Sequence, residues 1–600
     1  MAQGWGWTAS AVLVLFGVAL GGCGGEPPGA GGPGGDGNAD PSVATSAFCA
    51  PLLERMDSFA LAVSSETAPQ VVATETESGP ANGRYGGTVV VGNTVELPRG
   101  MNSLTSDDYG DGQHQRFLTH MTLVRLDETY SPQPYLARSW EVAEDGRSVT
   151  FRLRDDVFWH DGVRTTAYDV AFTYRMATDP EGAFPYAGFW SDYVPGDAGV
   201  TVVDSFQVRV AMNPQQDFLD PWRATAIMPR HLLEGVPWEV LVTHPYGTQC
   251  PVGNGPFRFV EHRIGDRWVL DANPAFPEGL GGRPYLDRYV YRIIPDETTI
   301  LTELANGAVD LDILVPADRL DEVVANPRIE PIVFPFRSYT FLGWNTRRPQ
   351  FADARVRRAL TMALDREGIL AAVVGGHGTV INAPVPPFHP GYDPTVSEAL
   401  PYDPNRAAAL LDEAGWRDRD GDGIRENGEG VPFSFSILVN DNRERLDLAE
   451  LSSLAFAELG LDASVEVIEW STLGGRITSR DRDFDAFIVV WVPEFRLDDR
   501  DQFHSDRADG PVAFSGLADP DLDDLMDRLA TEMDPDVASA LIQAYQARMV
   551  ELQPYTFYYS PDRIAARSGL LRGVVMDARG EWATAARWWI ETPGEGEGGG

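Results

Sequence analysis

A chain of 600 residues at 65.7 kDa is longer than one hydrophobic core normally serves, so two or three domains are expected. Hydrophobic residues make up 43% of it and charged residues 23%, an ordinary globular balance that excludes a disordered or fibrous chain. Acidic residues outnumber basic ones by 89 to 48, for a formal net charge of −41, and every basic residue is arginine. That surface repels phosphate backbones, which argues against a nucleic-acid partner. The absence of lysine removes the P-loop lysine, the Schiff base and the pyridoxal attachment point.

In chain order, residues 9–20 form an apolar run too short to span a bilayer, which takes about 20 residues. The run fits the core of a secretion signal over 1–22, although no arginine precedes it. Leu20-Gly21-Gly22-Cys23 resembles the lipobox of bacterial lipoproteins, whose cysteine is diacylated. This implies lipid attachment at Cys23 and an extracytoplasmic, membrane-anchored protein. Residues 24–40 are a Gly/Pro-rich tether. Leu52, Leu53, Met56, Phe59 and Ala60 recur at helical spacing and predict a helix over about 42–65. Residues 71–83 are polar, so 23–83 reads as a tether carrying one short helix. Cys49 and Cys250 are the remaining cysteines, a candidate disulfide in an exported chain or else two separate thiols.

The folded body is expected from about Arg84 to Pro593, followed by a Gly/Glu tail at 594–600 that has nothing to bury. The strands around Trp140 and Phe151 flank an Asp145-Gly146 turn and read as a hairpin. Thr166-Ala167-Tyr168-Asp169 is a capping box opening a helix through Met176. Asp403-Pro404 starts a helix that ends at Gly415. A strand over 433–439, a helix marked by Leu451, Leu454, Ala455 and Leu459, and a strand over 465–468 make a βαβ unit with parallel pairing. Leu522, Leu525, Met526 and Leu529 line a late helix. No repeat of 20–50 residues is visible. The fold class is α/β with mixed sheets.

Asp418, Asp420 and Asp422, the Gly423 bend and Glu429 at the twelfth place have the spacing of a calcium loop, oxygens at alternate residues and then a bidentate acid. A structural Ca²⁺ on these four acids stands against a solvated acidic turn. Ile424 sits one place before the usual loop isoleucine. No cofactor for catalysis is expected: His160-Asp161 has no nucleophile attached by motif, the nine histidines form no zinc-binding helix, and no G-x-S-x-G elbow occurs.

A series of segments resembles family 5 extracellular solute-binding proteins, the peptide-binding components of ABC importers. They are Pro134-Tyr135-Leu136-Ala137-Arg138-Ser139-Trp140, Phe158-Trp159-His160-Asp161-Gly162, Val252-Gly253-Asn254-Gly255-Pro256-Phe257, Trp344-Asn345-Thr346 and Ala363-Leu364-Asp365-Arg366. The likeness covers about residues 84–590. It implies a bilobal periplasmic-binding-protein-like fold with an extra small domain inserted in the first lobe. The first lobe maps to 84–103, 200–335 and 560–593, the insert to 104–199, and the second lobe to 336–559.

The resemblance implies a non-enzymatic, monomeric receptor that closes on a peptide and delivers it to an ABC permease and its ATPase subunits. Peptide-binding relatives carry Trp-x-x-Asp, whose acid pairs with the peptide α-ammonium; here the pattern is Trp491-Val492-Pro493-Glu494. Glu494 is therefore the candidate ammonium partner and Trp491 a candidate pocket wall, with Asp498, Asp499 and Asp501 as neighbouring acids. Asn254, in its Gly-Asn-Gly-Pro loop, is a candidate for the hinge or cleft rim. Alternatives are the same role for an oligosaccharide or a metal complex, or a secreted peptidase.

Overall fold

The fold is seen in a computed structural model that describes residues 47–67 and 84–591, apart from 107, several positions between 180 and 198, 216 and 494. The signal segment, Cys23, the polar stretch 71–83 and the tail 594–600 lie outside the described residues.

Local signals build the elements. The hairpin pairs Ala137–Val142 with Ser148–Leu153, and Gly146 takes the left-handed backbone (φ 66°) its turn requires. Thr166 caps the helix Ala167–Ala177 through a complete capping box. The Asp403 side chain accepts from Arg406 N at the start of Pro404–Glu413. Ser434–Val439 and Asp462–Val467 pair in parallel across the helix Arg443–Glu458, as the βαβ reading requires. That helix buries Leu448, Ala449, Ser452 and Phe456 and turns Leu454 to solvent, so the face expected from Leu451 and Leu454 is shifted. Phe456 sets the face, because its ring packs on Trp344 and Phe435.

The strand Tyr555–Ser568 organises the rest. Its first residues pair antiparallel with Tyr339–Trp344 in the second lobe. Its remainder, Asp562–Ser568, pairs with Ile329–Pro335 in the first. One sheet therefore runs through both lobes. In the second lobe it orders Asp462–Val467, Ser434–Val439, Ala486–Trp491 and Tyr339–Trp344. Beyond the shared strand it continues through Leu311–Asp312, Thr88–Asn93, Arg288–Ile293, Arg267–Ala272 and Phe257–Arg263. Pro561 has no N–H to donate and stands where the long strand changes partner. There Phe336 N donates to Pro561 O (3.3 Å) and Ser560 Oγ donates to Ser338 O (2.9 Å). The lobes are thus joined by two adjacent strands, the geometry of a hinge.

A separate four-stranded antiparallel sheet forms the small unit on the first lobe. Its last two strands are Val200–Asp204 and Gln207–Ala211, so this unit runs past the expected limit at 199. The hairpin returns to cover Ser148–Leu153, and cutting at 199 would leave that strand unpaired on one edge.

The helix Cys49–Thr67, expected within the tether, instead packs on the body. Cys49 is bonded to Cys250, with Cα atoms 5.4 Å apart. Phe48 meets His244 edge-on at 4.6 Å, Arg55 pairs with Asp161, and Arg258 Nη1 donates to Asp57 Oδ1 (2.6 Å). The bond closes a loop of 201 residues, worth at most about 5 kcal/mol in unfolded-chain entropy. Cys250→Ser is expected to lower the urea midpoint and to expose this helix to limited proteolysis before the body unfolds. An unchanged midpoint and digestion pattern would contradict that role.

Candidate functional site

A cavity of about 450 Å³ lies between the lobes. The first lobe and the small unit contribute Tyr109, Arg125 and Arg223 to its wall, the C-terminal segment contributes Arg579 and Arg587, and the second lobe contributes Arg337 and Phe495.

The hinge side is built on a buried carboxylate. Glu581 pairs with Arg563 and accepts from the Tyr109 hydroxyl (2.8 Å). The Arg563 guanidinium lies 3.4 Å from the Phe336 ring centroid. Tyr109 and Phe336 both face the cavity, so this cluster fixes its floor.

Across the cavity the second lobe touches the first through Phe495 and Arg496. The Phe495 ring lies 5.3 Å from the Arg223 guanidinium and 4.9 Å from that of Arg337. It also meets Tyr130 (5.7 Å) and Phe388 (5.9 Å), and Tyr130 meets Phe388 at 5.6 Å. Arg496 Nη1 donates to Gln215 Oε1 (3.0 Å) and its guanidinium lies over Tyr193 (4.8 Å). Tyr130 holds a left-handed backbone (φ 61°), unusual for a bulky residue. The Asp127 carboxylate holds that turn by accepting from Thr129 N and Ser131 N.

The expected site residues fall in different places. Glu494 lies outside the described residues, directly before the lining residue Phe495. Trp491 is half-buried, packs edge-on to Phe514 (6.3 Å) and is not among the described residues lining the cavity. Asn254 is buried rather than at a cleft rim. Its Oδ1 accepts from Met121 N (2.8 Å) and its Nδ2 donates to Thr165 Oγ1 (3.3 Å). Beside it, a Cβ on Gly253 would fall 1.7 Å from Thr119 O, so the Gly-Asn-Gly-Pro loop is a packing clamp.

Asp498 is also unsuited to receive an ammonium, because Arg496 Nη2 and Arg500 Nη2 already pair with it at 2.8 and 2.7 Å. Burial would raise its pKa, but the bonds from Arg500 and the charge of Arg496 hold it at about 2. Asp501 pairs with Arg507. Asp499 is buried and accepts from the Tyr545 hydroxyl (2.6 Å).

In the acidic loop, Asp418 accepts from Gly421 N and Gly423 N, and Asp422 from Ile424 N. Asp418 and Asp420 converge with Glu426, not with Asp422 and Glu429. Glu426 is brought inward by its bridges to Arg417 and Pro432, whereas Glu429 is exposed in the turn between them. The four-acid set expected from spacing is therefore not assembled.

The residues that do form the site, Tyr130, Arg223, Arg337, Phe495, Arg579 and Arg587, carry no motif. The one local signal was the aromatic-cation pair Phe495-Arg496 directly after Glu494.

Burial pushes the Asp499 carboxyl up from 3.8 to about 7, against the bond from Tyr545. The stability this group contributes is therefore full below about pH 4 and is lost as pH rises through about 7. Asp499→Asn keeps an acceptor for Tyr545. It is expected to raise the urea midpoint near pH 8 and to change it little near pH 4. An equal shift at both would refute the assignment.

The profile of the family described as "Bacterial extracellular solute-binding proteins, family 5 Middle" matches residues 131–508. The chain is 30% identical over 513 residues to the "Oligopeptide-binding protein AppA" of Bacillus subtilis, covering 84% of this chain and 92% of that protein. The structure of that oligopeptide-binding protein, solved in complex with a nonapeptide, superposes with a TM-score of 0.68 at 28% identity, covering 85% of this chain and all of the other. The "Heme-binding protein A" of Haemophilus influenzae is 29% identical over 386 residues, 60% of this chain and 66% of that protein. With two lobes hinged on one shared strand and a cavity between them, the chain belongs to the bacterial extracellular solute-binding proteins of family 5.

Proposed function

We propose that this protein is a lipid-anchored extracytoplasmic receptor that captures peptides between its lobes and delivers them to an ABC permease without altering them chemically. The observation that carries this reading is the interlobe cavity of about 450 Å³, walled by both lobes and spanned by Phe495 and Arg496. Its size falls in the roughly 300–1,000 Å³ range of ligand sites. Because the lobes meet through two adjacent strands, closure can exclude water around a ligand without disturbing either core. The oligopeptide-binding relative with its bound nonapeptide supports a peptide as the solute. A diacylated Cys23 followed by a Gly/Pro-rich tether would keep the receptor near its permease and raise its effective concentration there.

In this reading Glu494, which directly precedes the lining residue Phe495 in the sequence, pairs with the peptide α-ammonium. Peptides present at about a hundred times their Kd should stabilise the protein by about 2.7 kcal/mol, read as a rise in Tm. Glu494→Gln should weaken peptides with a free amino terminus by about tenfold or more and leave their N-acetylated counterparts unchanged. A peptide panel that never shifts Tm would remove the peptide reading. Equal losses for free and acetylated peptides would remove the role of Glu494.

A further inference from the structure

The charge of the cavity wall is opposite to that of the protein. Over the whole chain, acids outnumber arginines by 89 to 48. Among the described residues lining the cavity there are seven arginines and three carboxylates. Two of those carboxylates are already occupied. Asp220 pairs with Arg223 (2.6 Å), and Asp127 accepts from Thr129 N, Ser131 N and Gln133 Nε2. Glu128 is the third and is exposed.

The arginines are not equally compensated. Arg579 is gripped by Asp577 through two parallel bonds (2.9 and 2.6 Å). Arg125 and Arg587 form no ion pair among the described residues. Arg125 is half-buried with its guanidinium 5.2 Å from the Tyr135 ring centroid. Burial, and then the charges of Arg587 and Arg579, push its pKa down, while Tyr135 acts the other way. A guanidinium that is partly desolvated beside two others and faces a cavity is a receptor for an anion. Its planar fork matches a carboxylate in bidentate geometry.

We propose that the cavity selects ligands carrying two or more carboxylates, with Arg125 and Arg587 as its anion-binding pair. The inference deepens the peptide reading, on which its preferred ligand, an acidic peptide, rests. A small polycarboxylate presents the same chemistry without a peptide backbone. The long-range field of a protein at −41 repels such ligands, so the selection is local: it acts where the arginines are close and the low-dielectric walls leave them weakly screened.

The test is calorimetry on the purified full chain with three equal-length peptides, all-alanine, glutamate-rich and arginine-rich, and with citrate. The glutamate-rich peptide is expected to bind at least about tenfold more tightly than the alanine peptide, and the arginine-rich peptide most weakly. Arg125→Gln and, separately, the exposed Arg587→Gln should each cut that preference to about threefold or less. Arg125→Lys should restore part of it, and high salt should narrow it. Circular dichroism and the Tm of the unliganded protein report whether each variant folds. If all three peptides bind alike, or the arginine-rich one binds best, the charge selection is wrong and the peptide reading survives. If citrate binds through Arg125 and no peptide does, the charge selection stands and the peptide reading falls. If neither citrate nor any peptide binds, both fall.

Discussion

The structure depends on one strand belonging to two bodies. Tyr555–Ser568 completes the sheet of the second lobe with one half and that of the first lobe with the other. Backbone hydrogen bonds along such a strand cannot be given up cheaply, because each buried N–H and C=O must keep a partner. The lobes are therefore tied at a line, where Phe336 and Ser338 cross beside Ser560 and Pro561. They are free to open only around it. The cavity follows from that constraint: its floor is the Glu581–Arg563–Phe336 cluster beside the crossing, and its far side is wherever the lobes next meet.

That second meeting is chemically different from the first. At the hinge the contacts are main-chain bonds with little tolerance. At the far side they are aromatic and guanidinium faces, Phe495 between Arg223 and Arg337 and Arg496 over Tyr193. Faces of this kind tolerate small displacements and are worth about 0.5–2 kcal/mol each. A receptor needs such an asymmetry, since release requires one side to part while the other holds. The backbone of Tyr130, kept left-handed by the Asp127 turn, holds one of those faces against Phe495.

Local chemistry was legible in the sequence wherever it was confined to one segment. The Thr166 capping box, the Asp403-Pro404 helix start and the Asp145-Gly146 turn each stand where their residues put them. Short-range patterns misled where a distant partner decides the outcome. Leu454 fits a helical stripe but faces solvent, because Phe456 is drawn to Trp344 more than a hundred residues away. Glu429 has the spacing of a metal ligand, but the bridges of Glu426 bring a different acid to Asp418 and Asp420. The arginines of the cavity could not be grouped from the sequence at all. Arg125 and Arg587 come together only when the C-terminal segment folds back against the small unit, and no motif links them.

The docked N-terminal helix has a mechanical meaning. Cys49 is bonded to Cys250, and Arg55, Asp57 and Phe59 all rest on the first lobe and its small unit. Any force arriving along the chain from upstream of residue 49 is therefore delivered to one body, and the other swings unloaded. A leash fastened this way can hold the molecule in place without pulling on its jaw.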